Sequence, residues 1–417
     1  MSTSQPRHIN ADVRMRGFAE RATVEAATAW LDGLLPAFAT LPTTKIGLRE
    51  AAGRVLAREI ISQVDVPGFP RSMMDGFAVR GEDTYGASPY NRLPLKILGT
   101  SLPGEPFAGQ VGAGEAIRIM TGAPLPAGAD AVLPVEETEF SETTLQAAGA
   151  VSPGKHVGQI GEDVRRGDVV LPAGRVLRPQ DIGVLSSIGC NPLEVIRCPE
   201  VRVVVTGNEL LPAGTASNGF RIADANGPML AALVQRDGGQ EYVSAIVRDR
   251  PDDIRAELEK PADVVLVSGG SSVGQEDHVP SLLATMGELA IHGIAMRPSS
   301  PTGMGRIGKR LVFLLPGNPV SCLCAYDFFA GPAIRALGGL NRDWPYRRQR
   351  MRLARKLVST VGRVDYARVQ FLGDKVEPVA VSGASVLSST TRADGFVIVP
   401  ADSEGYPAGA EVEVFWY

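Results

Sequence analysis

The chain has 417 residues, 44% of them hydrophobic and 21% charged, with a formal net charge of -4. At roughly 100 to 200 residues per domain, that is a globular protein of two to four domains with real cores. The near balance of charge argues against nucleic acid as a partner, because a domain built for that task is normally basic throughout.

Residues 1 to 19 are polar and basic and lack the apolar stretch of a signal peptide. No run of about 18 apolar residues suggests a membrane span. The four cysteines, Cys190, Cys198, Cys322 and Cys324, form no CxxC pair, and read as free buried thiols in a reducing compartment. The expectation is a cytoplasmic protein with no membrane partner.

Residues 20 to 60 read as helical. "ATVEAATAWLDGLL" carries apolar residues at helical spacing behind Thr23, a candidate N-cap, and "LREAAGRVLAREI" is a second amphipathic stretch. Residues 61 to 150 are rich in Gly and Pro with short apolar pieces, the texture of a small β domain. From 151 to 190 the chain runs through turns into a helix-like segment that can return to the first helices. An N-terminal domain is therefore expected over 20 to 60 and 151 to 190, with the β domain inserted into it.

Between 191 and 340 β-branched runs such as "VRVVVT", "DVVLVS" and "RLVFLLP" alternate with helical stretches. That pattern predicts an α/β domain with a doubly wound, mostly parallel sheet. Residues 345 to 417 read as a C-terminal β domain. Its opening run, "RRQRMRLARK", reads as a solvated strand edge or a linker.

In such a sheet, ligands sit outside the carboxyl ends of the strands. Three predicted strand ends carry unusual loops: Thr206, Gly207, Asn208 and Glu209; Ser268, Gly269, Gly270, Ser272, Gly274 and Asp277; and Pro316, Gly317, Asn318, Pro319 and Ser321. Glycine lets backbone N–H groups approach an anion closely. Such a rim can hold phosphate without a lysine, provided that a cation such as Mg²⁺ stands between the acids and the phosphate. No GxxxxGK[ST] sequence is present, which argues against a P-loop ATPase. Taken singly, each loop also fits a simple turn, and each acid a solvated side chain. A second cluster, Arg71, Ser72 and Asp75 with Thr121, Gly122 and Ala123, fits tight turns equally well.

Eight segments in order resemble one family, the molybdopterin molybdenumtransferases (MoeA and the C-terminal part of gephyrin). They are "PRSMMDGFAV", "RIMTGAPLPAGADAV", "GEDVRRGDVVLPAG", "VTGNELL", "RIADANGPML", "SGGSSVGQEDH", "LPGNPVSC" and "SGASVLSSTTRADGFVIVP". The resemblance implies an elongated homodimer whose active cleft lies between the α/β domain of one subunit and the β insertion of the other. It implies insertion of molybdate into adenylylated molybdopterin, dependent on Mg²⁺, with release of AMP. Glu209 and Asp277 would hold the metal, and Asp277, Glu209, Asp224 and Asp75 would be the catalytic acids. Thr206, Gly207, Ser268, Gly269, Gly270, Ser272 and Gly274 would cradle phosphate and pterin. Pro316, Gly317, Asn318, Pro319 and Ser321 would line the pterin side, with Asp75 and Thr121 reaching in from the partner subunit.

One segment departs from the family. Where the family reads KPGKP, this chain reads "RPSSP". Arg297 keeps one charge at the expected oxyanion site, and Ser300 replaces the second lysine. Ser299 and Ser300 would remain as neutral donors, and Arg306, Lys309 or Arg310 could restore the charge. The departure motivates an alternative: a non-catalytic, gephyrin-like scaffold that keeps pterin binding and recruits a protein partner.

Overall fold

The computed structural model describes residues 21–38, 41–270, 277–380 and 383–417. Residues 45–195 form one compact unit, and the other described residues form a second. The first helix, α1 (Val24–Leu34), belongs to the second unit. It begins at Thr23, whose Oγ1 accepts the Ala26 N–H at 3.1 Å, as a capping threonine should.

In the unit of residues 45–195, a six-stranded sheet contains β1 (Gly76–Val79), β2 (Leu93–Ser101), β3 (Glu115–Ile119), β4 (Ala131–Pro134), β5 (Thr138–Phe140) and β6 (Thr144–Ala147). Its order is β4-β1-β3-β2-β6-β5. Alternate residues supply opposite faces: Phe77, Val79 and Leu133 build one apolar cluster, Ala78, Ile117 and Val132 the other. A third cluster joins Ala51 and Leu56 to Leu171, Leu185 and Val195, and includes the helix α2 (Pro179–Ser187).

The second amphipathic stretch is not a helix. A single 3-10 turn, Leu48–Glu50, is followed by extended chain. There Leu56 N–H donates to the Arg175 carbonyl at 2.9 Å, and Leu177 N–H to the Arg54 carbonyl at 2.9 Å. Cross-chain pairing takes the backbone groups that a helix would have used, and Gly53, at φ 77°, breaks any continuation.

The second unit is built on a six-stranded sheet: β7 (Glu200–Val205), β8 (Gln240–Val243), β9 (Val264–Ser268), β10 (Glu288–His292), β12 (Gly303–Ile307) and β13 (Arg310–Leu315), in the order β8-β7-β9-β13-β12-β10. The strands β8, β7, β9 and β13 run parallel, and β12 and β10 complete the sheet antiparallel. Val203, Val205 and Leu266 face a cluster with α3 (Asn226–Arg236) and the helix from Pro319. Val204, Val265 and Val267 face the opposite cluster, with α4 (Pro251–Glu259) and α5 (Val279–Met286). Helices on both faces make the sheet doubly wound, as the alternation predicts. The continuous helical stretch Pro319–Leu337 is long and apolar enough to cross a membrane, but it is buried in this core.

The two-residue strand β11 (Met296–Arg297) crosses to a second sheet in the same unit. That sheet contains β14 (Arg347–Leu353), β15 (Val364–Leu372), β16 (Lys375–Ala380), β17 (Gly395–Val399) and β18 (Glu411–Trp416), in the order β11-β15-β16-β14-β18-β17. A further β15–β17 pairing curls it toward a barrel. The arginine-rich β14 lies inside the sheet, between β16 and β18, and is not an edge. Its Met351 and Leu353 point to the core while Arg348, Arg350 and Arg352 stand in solvent.

Candidate active site

Parallel register fixes the site. Val205 pairs with Ser268, and Ser268 with Leu315, so β7, β9 and β13 end at the same level. The loops that follow lie along one rim. Thr206 N–H donates to the Ser268 carbonyl at 2.9 Å, and Gly269 N–H to the Leu315 carbonyl at 3.3 Å. Gly269 has φ 98°, and a Cβ there would lie 2.2 Å from the Thr206 carbonyl oxygen. No other residue fits that crossing.

A pocket of about 560 Å³ opens on this rim. Thr206, Gly207, Glu209, Asp224, Ser268, Gly269, Gly270, Asp277, Pro316, Gly317, Asn318 and Pro319 all line it. Ser272 and Gly274 fall outside the described residues.

Each wall is braced from within. Asp224 accepts the N–H groups of Asn226 and Gly227, both at 2.9 Å, and so caps α3. Asn226 donates its amide to Ser268 Oγ at 2.8 Å and to the Gly317 carbonyl at 2.7 Å, tying three loops together. Its Oδ1 is buried without a partner, an acceptor that a ligand donor would satisfy. Beneath the rim, the Cys322 thiol lies 4.0 Å from Ser268 Oγ. Burial pushes that thiol up to about 12, so it stays protonated and unreactive.

The sequence reading missed one acid. Asp249 lines the same pocket, accepting the Thr206 hydroxyl and, at 3.0 Å, the Asn208 N–H. The signal was available: β8 is a fourth parallel strand, and the bridge between Thr206 and Val247 carries its continuation onto the same rim. The pocket therefore holds four carboxylates, on Glu209, Asp224, Asp249 and Asp277, and no basic side chain among the described residues that line it.

These acids can be tested against a divalent cation. No group of three metal-binding side chains converges anywhere among the described residues. Glu209 and Asp277 share the pocket, but they do not form a closed cage with a third ligand. That suits a hard ion held by one or two carboxylates, its shell completed by substrate oxygens and water, which is how Mg²⁺ is usually bound.

A second pocket, of about 840 Å³, adjoins the first and shares Pro301, Pro316 and Asn318 with it. Arg297, Ser300 and Ser321 line it, with Arg21 and Arg363, and none of the described residues that line it carries a carboxylate. Arg297 is not a lone charge. It pairs with the buried Asp365, which also accepts Ser359 Oγ at 2.7 Å and faces Arg363 at 3.3 Å. Two guanidiniums share one carboxylate, so the group keeps a net positive charge.

The expected substitutes for the missing lysine lie elsewhere. Arg306 pairs with Glu288 at 2.7 Å, Arg310 donates to the Leu258 and Lys260 carbonyls, and Lys309 lines neither pocket. Arg363 stands in the pocket instead. Ser299 also differs from expectation: its hydroxyl already donates to the Ser321 carbonyl at 2.5 Å.

Asp75 and Thr121 belong to the unit of residues 45–195, where they are joined. Asp75 Oδ1 accepts the Thr121 N–H at 2.7 Å and the Thr121 hydroxyl at 2.8 Å. These bonds, the backbone one foremost, hold the Asp75 carboxyl below its ordinary range and keep it ionised.

Comparison with known proteins agrees over nearly the whole chain. Three family descriptions match in succession: MoeA N-terminal region (domain I and II) over residues 22–189, "Probable molybdopterin binding domain" over 202–336, and MoeA C-terminal region (domain IV) over 350–416. A molybdopterin molybdenumtransferase of Staphylococcus aureus is 31% identical over 393 residues, 90% of this chain and 91% of that protein. The corresponding enzyme of Staphylococcus epidermidis is 30% identical over 386 residues, 88% and 90% of the two chains. Two solved structures of the molybdopterin biosynthesis MoeA protein from Pyrococcus horikoshii align with TM-scores of 0.79 and 0.76, at 34% and 30% identity. Each covers 95% of this chain, and they are themselves covered to 99% and 100%. With its pockets built on the segments that carry this likeness, the chain belongs to the MoeA family of molybdopterin molybdenumtransferases, transferases of molybdenum cofactor biosynthesis.

Proposed function

We propose that this enzyme inserts molybdate into adenylylated molybdopterin and releases AMP in a Mg²⁺-dependent step, with the acidic pocket taking the pyrophosphate and the arginine-lined pocket taking the oxyanion. One observation carries this reading: two pockets of opposite charge share the wall Pro301, Pro316 and Asn318. Anhydride cleavage and metal insertion need their reacting groups side by side, and a shared wall supplies that proximity.

Glu209 and Asp277 are the residues that would hold Mg²⁺, which when bound neutralises the phosphate oxygens and stabilises charge on the departing AMP. The protein's own part is orientation. Asp249 fixes the Thr206–Asn208 turn, and Asn226 clamps Ser268 to Gly317. Arg363, Arg297 and the Ser300 hydroxyl would receive molybdate by charge and hydrogen bonding.

The decisive assay follows AMP release and active cofactor from adenylylated molybdopterin, molybdate and Mg²⁺. Binding of the pterin without turnover at any molybdate concentration would refute the reading. Cytoplasmic residence and a homodimer whose second copy contributes Asp75 and Thr121 belong to the same proposal. Light scattering of the purified enzyme tests the dimer, and cell fractionation tests the residence.

A further inference from the structure

Among the described residues only two that are not glycine take a positive φ, His156 and Ser299. Ser299, at 95°, is the buried one, 2% exposed, in the segment that separates this chain from its family. A side chain is disfavoured in that conformation, and a residue held there is over-determined by its surroundings.

The restraints are visible. Ser299 Oγ donates to the Ser321 carbonyl at 2.5 Å. The Ser299 carbonyl accepts both the N–H of Thr302 at 3.0 Å and its hydroxyl at 2.7 Å. The Ser300 carbonyl accepts the Ile294 N–H at 2.9 Å. The loop is thus pinned on both sides of Ser300, which lines the arginine pocket and whose own Oγ is buried without a partner. An unpaired buried hydroxyl is costly unless a ligand completes it.

We infer that Ser299 is a positioning residue for the oxyanion subsite. Its hydroxyl is spent on the Ser321 carbonyl, and the tether fixes the loop so that Ser300 Oγ serves as a neutral donor beside Arg363. A glycine would adopt the same φ with less strain but would lack the tether. The inference rests on the assignment of molybdate to this pocket.

The test compares Ser299→Gly, which relieves the backbone and removes the hydroxyl, with Ser299→Ala, which only removes the hydroxyl. Calorimetric titration with molybdate and steady-state kinetics are read together. Both variants should weaken molybdate binding about fivefold, the scale of one neutral hydrogen bond, while KM for adenylylated molybdopterin moves by less than about twofold. Ser299→Gly should unfold no earlier on heating than the parent enzyme. A purely structural role predicts instead that Ser299→Gly keeps parental molybdate binding and that only Ser299→Ala suffers, in step with its stability; that result overturns the inference. Arg363→Gln and Ser300→Ala separate the two levels of the claim. If these weaken molybdate and the Ser299 variants do not, the positioning role alone fails. If none of the four changes the molybdate titration, the oxyanion lies elsewhere, and the functional reading of the pocket falls with it.

Discussion

The two pockets share three residues and differ in almost everything else. Among the described residues that line them, the first carries four carboxylates and no basic side chain; the second carries three arginines and no carboxylate. The first is assembled from the ends of parallel strands in one sheet. The second depends on pairing between that domain and the C-terminal sheet, where Arg297 stands opposite Asp365. A metal-bridged phosphate site needs only acids and open backbone at a sheet edge. The proposed oxyanion site would need fixed positive charge, and in the second pocket that charge is fixed by a buried acid held between two guanidiniums.

The sharpest way to break this division is to remove one acid. Asp277→Asn should leave folding intact and lower turnover by about 10–100-fold, the scale of a lost metal ligand or its immediate support. The requirement for Mg²⁺ should rise, and half-saturation by molybdate should not move. Rates of AMP release across a Mg²⁺ titration decide it, and unchanged turnover would remove Asp277 from the acidic pocket's work.

Arg363→Gln is the matching change on the other side. Loss of one charged hydrogen-bond donor from a half-exposed position should raise half-saturation by molybdate about fivefold to tenfold. Asp365 keeps Arg297 and Ser359 as partners, so stability should fall little. The Mg²⁺ dependence should stay parental. If Arg363→Gln shifts Mg²⁺ and molybdate together, the pockets do not divide the labour.

The same division explains what the sequence could reveal. Strand-end loops after parallel strands are local signals, since an apolar run and a glycine, with an acid in two of the three, lie within a few residues of each other. Glu209, Gly269, Asp277 and Asn318 were legible for that reason. Asp249 was harder, because it stands six residues beyond the end of β8, past the point where a strand-end search stops. Arg363 was out of reach. It comes to Arg297 through the β11–β15 pairing, and no periodicity in either segment announces a contact across more than sixty residues. Nor does helical spacing alone make a helix, as residues 51 to 60 demonstrate. Their backbone groups pair with residues 175–177, and tertiary pairing overrides a weak local preference. The run "RRQRMRLARK" misled in the opposite sense. Charge along a strand suggested an edge, whereas residues 347–350 stay exposed and only Met351 and Leu353 are buried while β14 lies in the interior of a sheet.

The smallest expected effect concerns Ser300, where the resemblance to the KPGKP segment implies a lysine. Ser300→Lys adds an ammonium to a pocket already lined by Arg21, Arg297 and Arg363. Attraction to molybdate rises, but so does repulsion among the cations when no anion is bound. The net gain in affinity should be about twofold to fivefold at low salt, the range of a partly solvated ion pair, and should shrink as ionic strength rises. The repulsion has its own signature. The variant should unfold earlier than the parent without molybdate and gain more thermal stability when molybdate is added, because ligand that binds only the folded state stabilises by mass action. A melting series at fixed salt, with and without molybdate, separates the two contributions. Should Ser300→Lys lower stability equally in both conditions and leave half-saturation unchanged, the added charge does not meet the anion, and the arginine pocket loses its claim to the oxyanion.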